Sequence, residues 1–258
     1  MTSQSTDPAP PAAAAAWRRV ASQSAFETRM ILRNGEQLLV TIFLPVLVLV
    51  GLARSGVVEL TTDGAARIDV VAPGVLALAV MSTAFTSQAI ATSFDRRNGV
   101  LRLLATTPLG RRGLLAGKFL AVAAVEAVQV VVIGGTGLAL GWRPVASGIP
   151  LALVALVLGT AAFISLALLV AGTLRAEAVL AGANLLLVVL AVGSGVVVPV
   201  SQLPGPLEHV ARLLPSGALG EALRGALIHG ALPAWSVGVL LAWTAVLGWS
   251  AARLFRWH

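Results

Sequence analysis

The 258-residue sequence predicts an all-α integral membrane protein. Six transmembrane helices are expected, with an N-terminal amphipathic interface helix and a short cytoplasmic helix between spans two and three. Short external or re-entrant helices are expected between spans five and six. Three observations carry this. Charged residues make up 11% of the chain, against about 25% in a soluble domain, too few to cover a surface facing water. Mean hydropathy is +0.91. Apolar residues also gather in six runs suited to a bilayer core of about 30 Å, which takes about 20 helical residues.

Residues 1–16, rich in Pro, Ala and Ser, lack a basic start and a Leu-rich core, so they read as a disordered tail and not a signal peptide. Residues 17–36 form the interface helix, opening with Trp17, Arg18 and Arg19, an aromatic–cation mix that membrane interfaces favour. Residues 37–258 make one six-span domain, with spans near 37–53, 70–94, 114–142, 149–173, 178–198 and 235–255. Pro45 is expected to kink the first span. The third is long enough to tilt. Pro150 falls in the first turn of the fourth, where its missing N–H costs nothing. After the fifth span, Leu207, Val210, Ala211 and Leu214 recur at helical spacing, and so do Leu219, Ala222, Leu223, Ala226 and Leu227. Pro215 and Ser216 divide the two groups. Each is too short to span, which predicts two amphipathic helices lying at, or dipping into, one interface.

Six spans place both termini on one side. That side takes Arg18, Arg19, Arg29, Arg33, Arg96, Arg97, Arg102, Arg111, Arg112, Lys118, Arg175, Arg253 and Arg256. The other takes Arg54, Arg67, Arg143, Arg212 and Arg224. The bias puts both termini in the cytoplasm of a multi-pass protein, and the plasma membrane of a bacterial cell is the expected location. Glu59, Asp63 and Asp69 then fall outside. The net charge of +7 sits at the ends of apolar runs, so lipid head groups explain it better than nucleic acid. With no cysteine, thiolate metal sites and disulfides are excluded. His209 and His229 have no metal spacing. No catalytic constellation stands out, and no cofactor or metal is expected in this chain.

The densest basic stretch, "FDRRNGVLRLLATTPLGRRGLLAGK" over residues 94–118, falls in the cytoplasmic loop between spans two and three. Its apolar Val100, Leu101, Leu103 and Leu104 predict a short amphipathic helix near 95–105, stopped by Pro108. A plain positive-inside anchor explains Arg111, Arg112 and Lys118 but not a leucine-bearing helix followed by a defined turn. "GLLAGKF" is not a P-loop, because Arg112 and Phe119 stand where Gly and Ser or Thr are required. Any ATPase is therefore a separate polypeptide.

Asp95, Arg96, Gly99, Leu101, Thr107, Pro108, Leu109, Arg111, Arg112, Gly117 and Lys118 together resemble the loop of the ABC-2 family of transporter permeases. Val100 and Arg102 depart from that pattern, where many members carry Thr and Glu. A second stretch, Pro199, Leu203, Pro204, Leu214, Pro215, Glu221, Ala222, Leu223 and Arg224, resembles the family's external "LP … EALR" element. The resemblance covers nearly the whole chain. It implies a permease pairing with a second copy or a homologous permease, over two cytoplasmic ATPase subunits that bind ATP and Mg. The loop helix would be the coupling helix. On that reading Asp95, Arg96, Arg97, Gly99, Leu101, Arg102, Leu104, Thr107, Pro108, Arg111 and Arg112 meet the ATPase. Leu101 and Leu104 would fill its cleft, with Arg96, Arg97 and Arg102 at an acidic rim. Leu203, Pro204, Leu214, Pro215, Glu221 and Arg224 would close the outer end. The apolar spans, with no large soluble domain beside them, suggest an amphipathic drug-like molecule or a lipid as cargo, and the resemblance implies export.

Glu126 is the one acid deep in a span, with Gln129 three residues on along the same face. With Gln88 and Asn184 these are candidates for the transport path, against hydrogen bonding between packed helices as the alternative. Two other functions stay open: a proton-coupled secondary transporter using Glu126, and a membrane anchor that recruits a cytoplasmic partner without moving cargo. The absence of an internal repeat counts against the first.

Overall fold

The computed structural model describes residues 14–55, 66–196 and 198–255. Most of the N-terminal tail, Glu59, Asp63 and Arg256 lie outside the described residues. Ten helices of more than three residues occur among the described residues: α1 (Ala16–Arg33), α2 (Gly35–Arg54), α3 (Arg67–Arg97), α4 (Val100–Ala105), α5 (Gly110–Ala139), α6 (Ile149–Thr173), α7 (Ala176–Gly193), α8 (Gly205–Leu213), α9 (Pro215–His229) and α10 (Ala234–Leu254). No strand occurs among them. Six helices are long and apolar enough to cross a membrane: α2, α3, α5, α6 with its leading turn, α7 and α10. The protein is an all-α membrane protein.

Helix α3 is the axis of the bundle. It is buried along most of its length, while α2 and α10 are largely exposed. Val71, Val75 and Phe85 of α3 join Phe163 of α6, Leu219 and Leu223 of α9, and Leu240 of α10 in one apolar core. Helix α1 lies along α5, and α10 packs most heavily on α6. Asn34 separates α1 from α2, its side-chain oxygen accepting from the Gln37 N–H at 3.2 Å as an N-cap.

Two spans contain π-helical segments that periodicity did not predict: Leu39–Phe43 in α2 and Met81–Ser87 in α3. The first explains what Pro45 does. Proline offers no N–H to the carbonyl four residues back, that of Thr41. That carbonyl accepts instead from the Gln129 side chain at 2.6 Å.

Helix α5 starts earlier than expected, at Gly110, and ends at Ala139 without reaching Trp142. The chain turns at Gly141, and the Trp142 ring folds back over Gly137. Of the two short helices expected at, or dipping into, an interface, α9 is sunk in the bundle: it is not amphipathic, and Ala218 through Gly220 and Ala222 through Leu227 are buried around its circumference, against α3, α6 and α10. Of the pair, α8 is the amphipathic one, exposing Val210 and Leu213 while burying Ala211. Helix α9 reaches its place because Gly148 lets the backbones touch: a Cβ there would lie 1.8 Å from the Ala226 carbonyl oxygen.

Candidate functional site

The basic loop is built from the end of α3, the six-residue α4, and the start of α5. The expected helix over 95–105 is divided. Asp95, Arg96 and Arg97 belong to α3, which ends at Asn98, and Gly99 takes the left-handed conformation (φ 75°) that closes a helix and that only glycine adopts freely. After α4, the Thr106 and Thr107 hydroxyls donate to the carbonyls of Leu103 (2.7 Å) and Leu104 (2.6 Å), tightening the turn into Pro108.

The orientation of α4 differs from the expectation. Leu101 is 1% exposed, so it is part of this chain's interior. Leu104 is half-buried. The outward apolar side chain is Leu103, 69% exposed, beside exposed Arg102. Four apolar residues in six leave the phase of so short a helix undetermined by spacing alone, and packing decides it.

Two arginines expected at the acidic rim of a partner are engaged within the chain. Arg96 donates to the carbonyls of Gly172 (2.5 Å) and Leu174 at the end of α6, where a cation meets unsatisfied carbonyls and the negative end of the helix dipole. Arg97 pairs with Glu177 of α7 at 2.5 Å and lies over the Phe94 ring. Arg111 and Arg112 are exposed at the start of α5.

Sequence reasoning missed the bracing of this loop by α1. Arg19 donates to the Pro108 carbonyl. Lys118, 4% exposed, reaches Asp95 of α3 at 3.2 Å and Glu27 of α1 at 3.5 Å. Gln23 donates to the other Glu27 oxygen at 2.7 Å. A glutamate on the α1 face that also carries Gln23 was the available signal. It pointed inward only once α1 was laid against α5.

A second polar group lies inside the bundle. Glu126 Oε2 is 2.6 Å from the Thr160 hydroxyl of α6. The Gln129 amide donates to the Thr41 carbonyl in the π segment of α2 and to the Thr83 hydroxyl in that of α3, at 2.6 and 2.7 Å. One oxygen of Glu126 and one of Gln129 are buried without a hydrogen-bond partner among the described residues. The four candidate path residues do not form one site. Gln88 faces a separate cavity beside Lys118. Asn184 is exposed on α7 and bonds back to the Leu180 carbonyl of its own helix.

At the opposite end, Arg224 of α9 is buried and donates to the carbonyls of Gly195 (2.8 Å) and Val196 (2.5 Å), and to Glu221 at 2.9 Å. Glu221 also accepts from the Val200 N–H at 3.2 Å. Burial pushes the Arg224 guanidinium below its ordinary pKa, and the Glu221 carboxylate opposes that shift. Leu203 and Pro204 lead into α8, while Leu214 and Pro215 form the joint between α8 and α9. These residues therefore fasten the connection after α7 to a helix sunk in the core.

The charged loop at one end of the six-span bundle and the α8–α9 segment at the other are the two stretches that the sequence set apart. Residues 59–253 match the family described as ABC-2 family transporter protein. The chain belongs to the ABC-2 family. The match includes α3 to α9 and nearly all of α10, and it leaves out α1 and α2. No curated protein matches the chain. The ABC-2 protein is accordingly a multi-pass membrane component of an ABC transporter. Among the described residues no group of three or more His, Cys, Asp or Glu is placed to hold a metal ion.

Proposed function

We propose that this ABC-2 protein is the permease of an ATP-driven exporter, coupled to separate cytoplasmic ATPase subunits through the 95–112 loop. The observation that carries this is the exposed Arg102–Leu103 surface of α4, an apolar and basic face on a helix outside every membrane span. Such a face leaves apolar area in water unless a partner covers it. Two ATPases binding ATP and Mg would each seat one α4, and the permease would pair with a second copy or a homologous permease. Both termini and the loop would lie in the cytoplasm of a bacterial cell. The cargo would be an amphipathic small molecule or a lipid, with α8 and α9 closing the outer end.

The bracing gives this a mechanism. Lys118 and Arg19 tie α1 and α5 to the ends of the loop, so a push on α4 is not absorbed by a slack connection. It passes into α3, whose lower end is fastened by Arg96 and Arg97 to the α6–α7 junction. ATPase closure would thereby tilt the central helix of the bundle against its neighbours.

The test is co-purification of the neighbouring ATPase through a tag on this chain. Leu103→Asp should abolish capture and ATP hydrolysis in lipid while membrane insertion persists. An intact complex carrying that substitution would sink the coupling assignment. Separately, tags on both termini should resist protease added outside intact cells, and cleavage of both would reverse the topology.

A further inference from the structure

Beneath α4 lies a cavity of about 210 Å³, enclosed by α1, the start of α2, the lower end of α3, α4 and the start of α5. It is smaller than the roughly 300–1,000 Å³ of drug-sized pockets, so it suits a head group with its chain left outside. Its lining divides by chemistry. Phe26, Met30, Ile31 and Val100 supply an apolar side. Glu27, Asp95 and Lys118 supply the charge, with Gln37 and Gln88 beside them.

Two observations point to what this space takes. The first is charge. Two carboxylates share one ammonium, at 3.2 and 3.5 Å, so the cavity keeps an excess negative charge. Arg18, Arg19, Arg29 and Arg33 of α1 do not line it. Arg96 and Arg97 are directed to α6 and α7. The second is Gln88. Its side chain is 4% exposed, lines the cavity, and has no hydrogen-bond partner among the described residues. Its amide reaches the cavity, so whatever occupies that space completes its bonding.

We propose that this cavity binds the ammonium head of an amine-bearing single-chain amphiphile. The carboxylates of Asp95 and Glu27 receive the charge. The Gln88 amide oxygen accepts an N–H. The chain leaves along Phe26 and Met30, which are exposed on α1. The site goes beyond the coupling reading and does not depend on it, because occupancy is measured without ATP or an ATPase.

The experiment uses the full chain in phosphatidylcholine nanodiscs, with radiolabelled dodecylamine as probe and dodecanoate as the chain-matched anion. Dodecylamine should bind saturably and dodecanoate should not compete. Asp95→Asn removes one carboxylate charge and should raise the dissociation constant about tenfold, the cost of one charge-assisted hydrogen bond. Gln88→Leu should weaken binding in the same direction. Lys118→Met releases both carboxylates and should tighten binding. Each variant is compared by its thermal midpoint, so that a folding defect is distinguished from a lost site. Equal affinity across the folded variants, or equal binding of dodecanoate, would show membrane partition only and overturn the site. Loss of ATPase capture on Leu103→Asp with amine binding unchanged separates the two readings.

Discussion

The two ends of the molecule are fastened by different means. At the end that carries α4, long side chains cross between helices: Arg97 to Glu177, Lys118 to Asp95 and Glu27, and Arg96 to the carbonyls that end α6. At the other end, backbone meets backbone. Helix α9 touches the turn before α6 at Gly148, and Arg224 is bonded to main-chain oxygens in the core. The outermost of the side-chain links, Arg97 with Glu177, yields, because exposed ion pairs contribute little and rearrange readily. The backbone contacts do not, because close-packed interiors have no room to adjust.

The contrast is tested by mutation, and the largest effect is expected at the rigid end. Gly148→Val places side-chain atoms where the Ala226 carbonyl already stands, 1.8 Å from a Cβ, and should leave no monodisperse protein on size exclusion. Arg224→Met strands the Gly195 and Val196 carbonyls and leaves Glu221 without its cation. It should cost about 3–5 kcal/mol, seen as a large fall in the detergent thermal midpoint. Between the ends, Gln129→Leu removes the donor to Thr41 and Thr83 and should cost about 1–3 kcal/mol. At the yielding end, Arg97→Ala breaks a pair exposed on both sides and should leave the thermal midpoint nearly unchanged. Should Arg97→Ala prove as damaging as Arg224→Met, the distinction between the ends would collapse.

Hydropathy alone placed the six spans, because a bilayer demands long apolar helices and little else satisfies it. The Pro108 turn was also legible, since it rests on local chemistry. What escaped was set by packing. The inward turn of Leu101, the burial of α9, and the meeting of Glu27 with Lys118 depend on which helix lies beside which. The π segments were hidden for a different reason: one surplus residue in a uniformly apolar span leaves no mark on its periodicity.

That surplus residue in α3 has a mechanical meaning. Successive α-helical residues advance by about 1.5 Å and turn by about 100°. Were the Met81–Ser87 segment to relax into ordinary α-helix with every residue kept, the half of α3 from Gln88 to Arg97 would rotate by about that angle against the half above it. Asp95, Arg96 and Arg97 would swing off Lys118, α6 and α7 together. The angular phase between the two ends of the protein is stored in the winding of one buried strip of helix. Deleting one residue from that strip would preserve the phase that unwinding destroys.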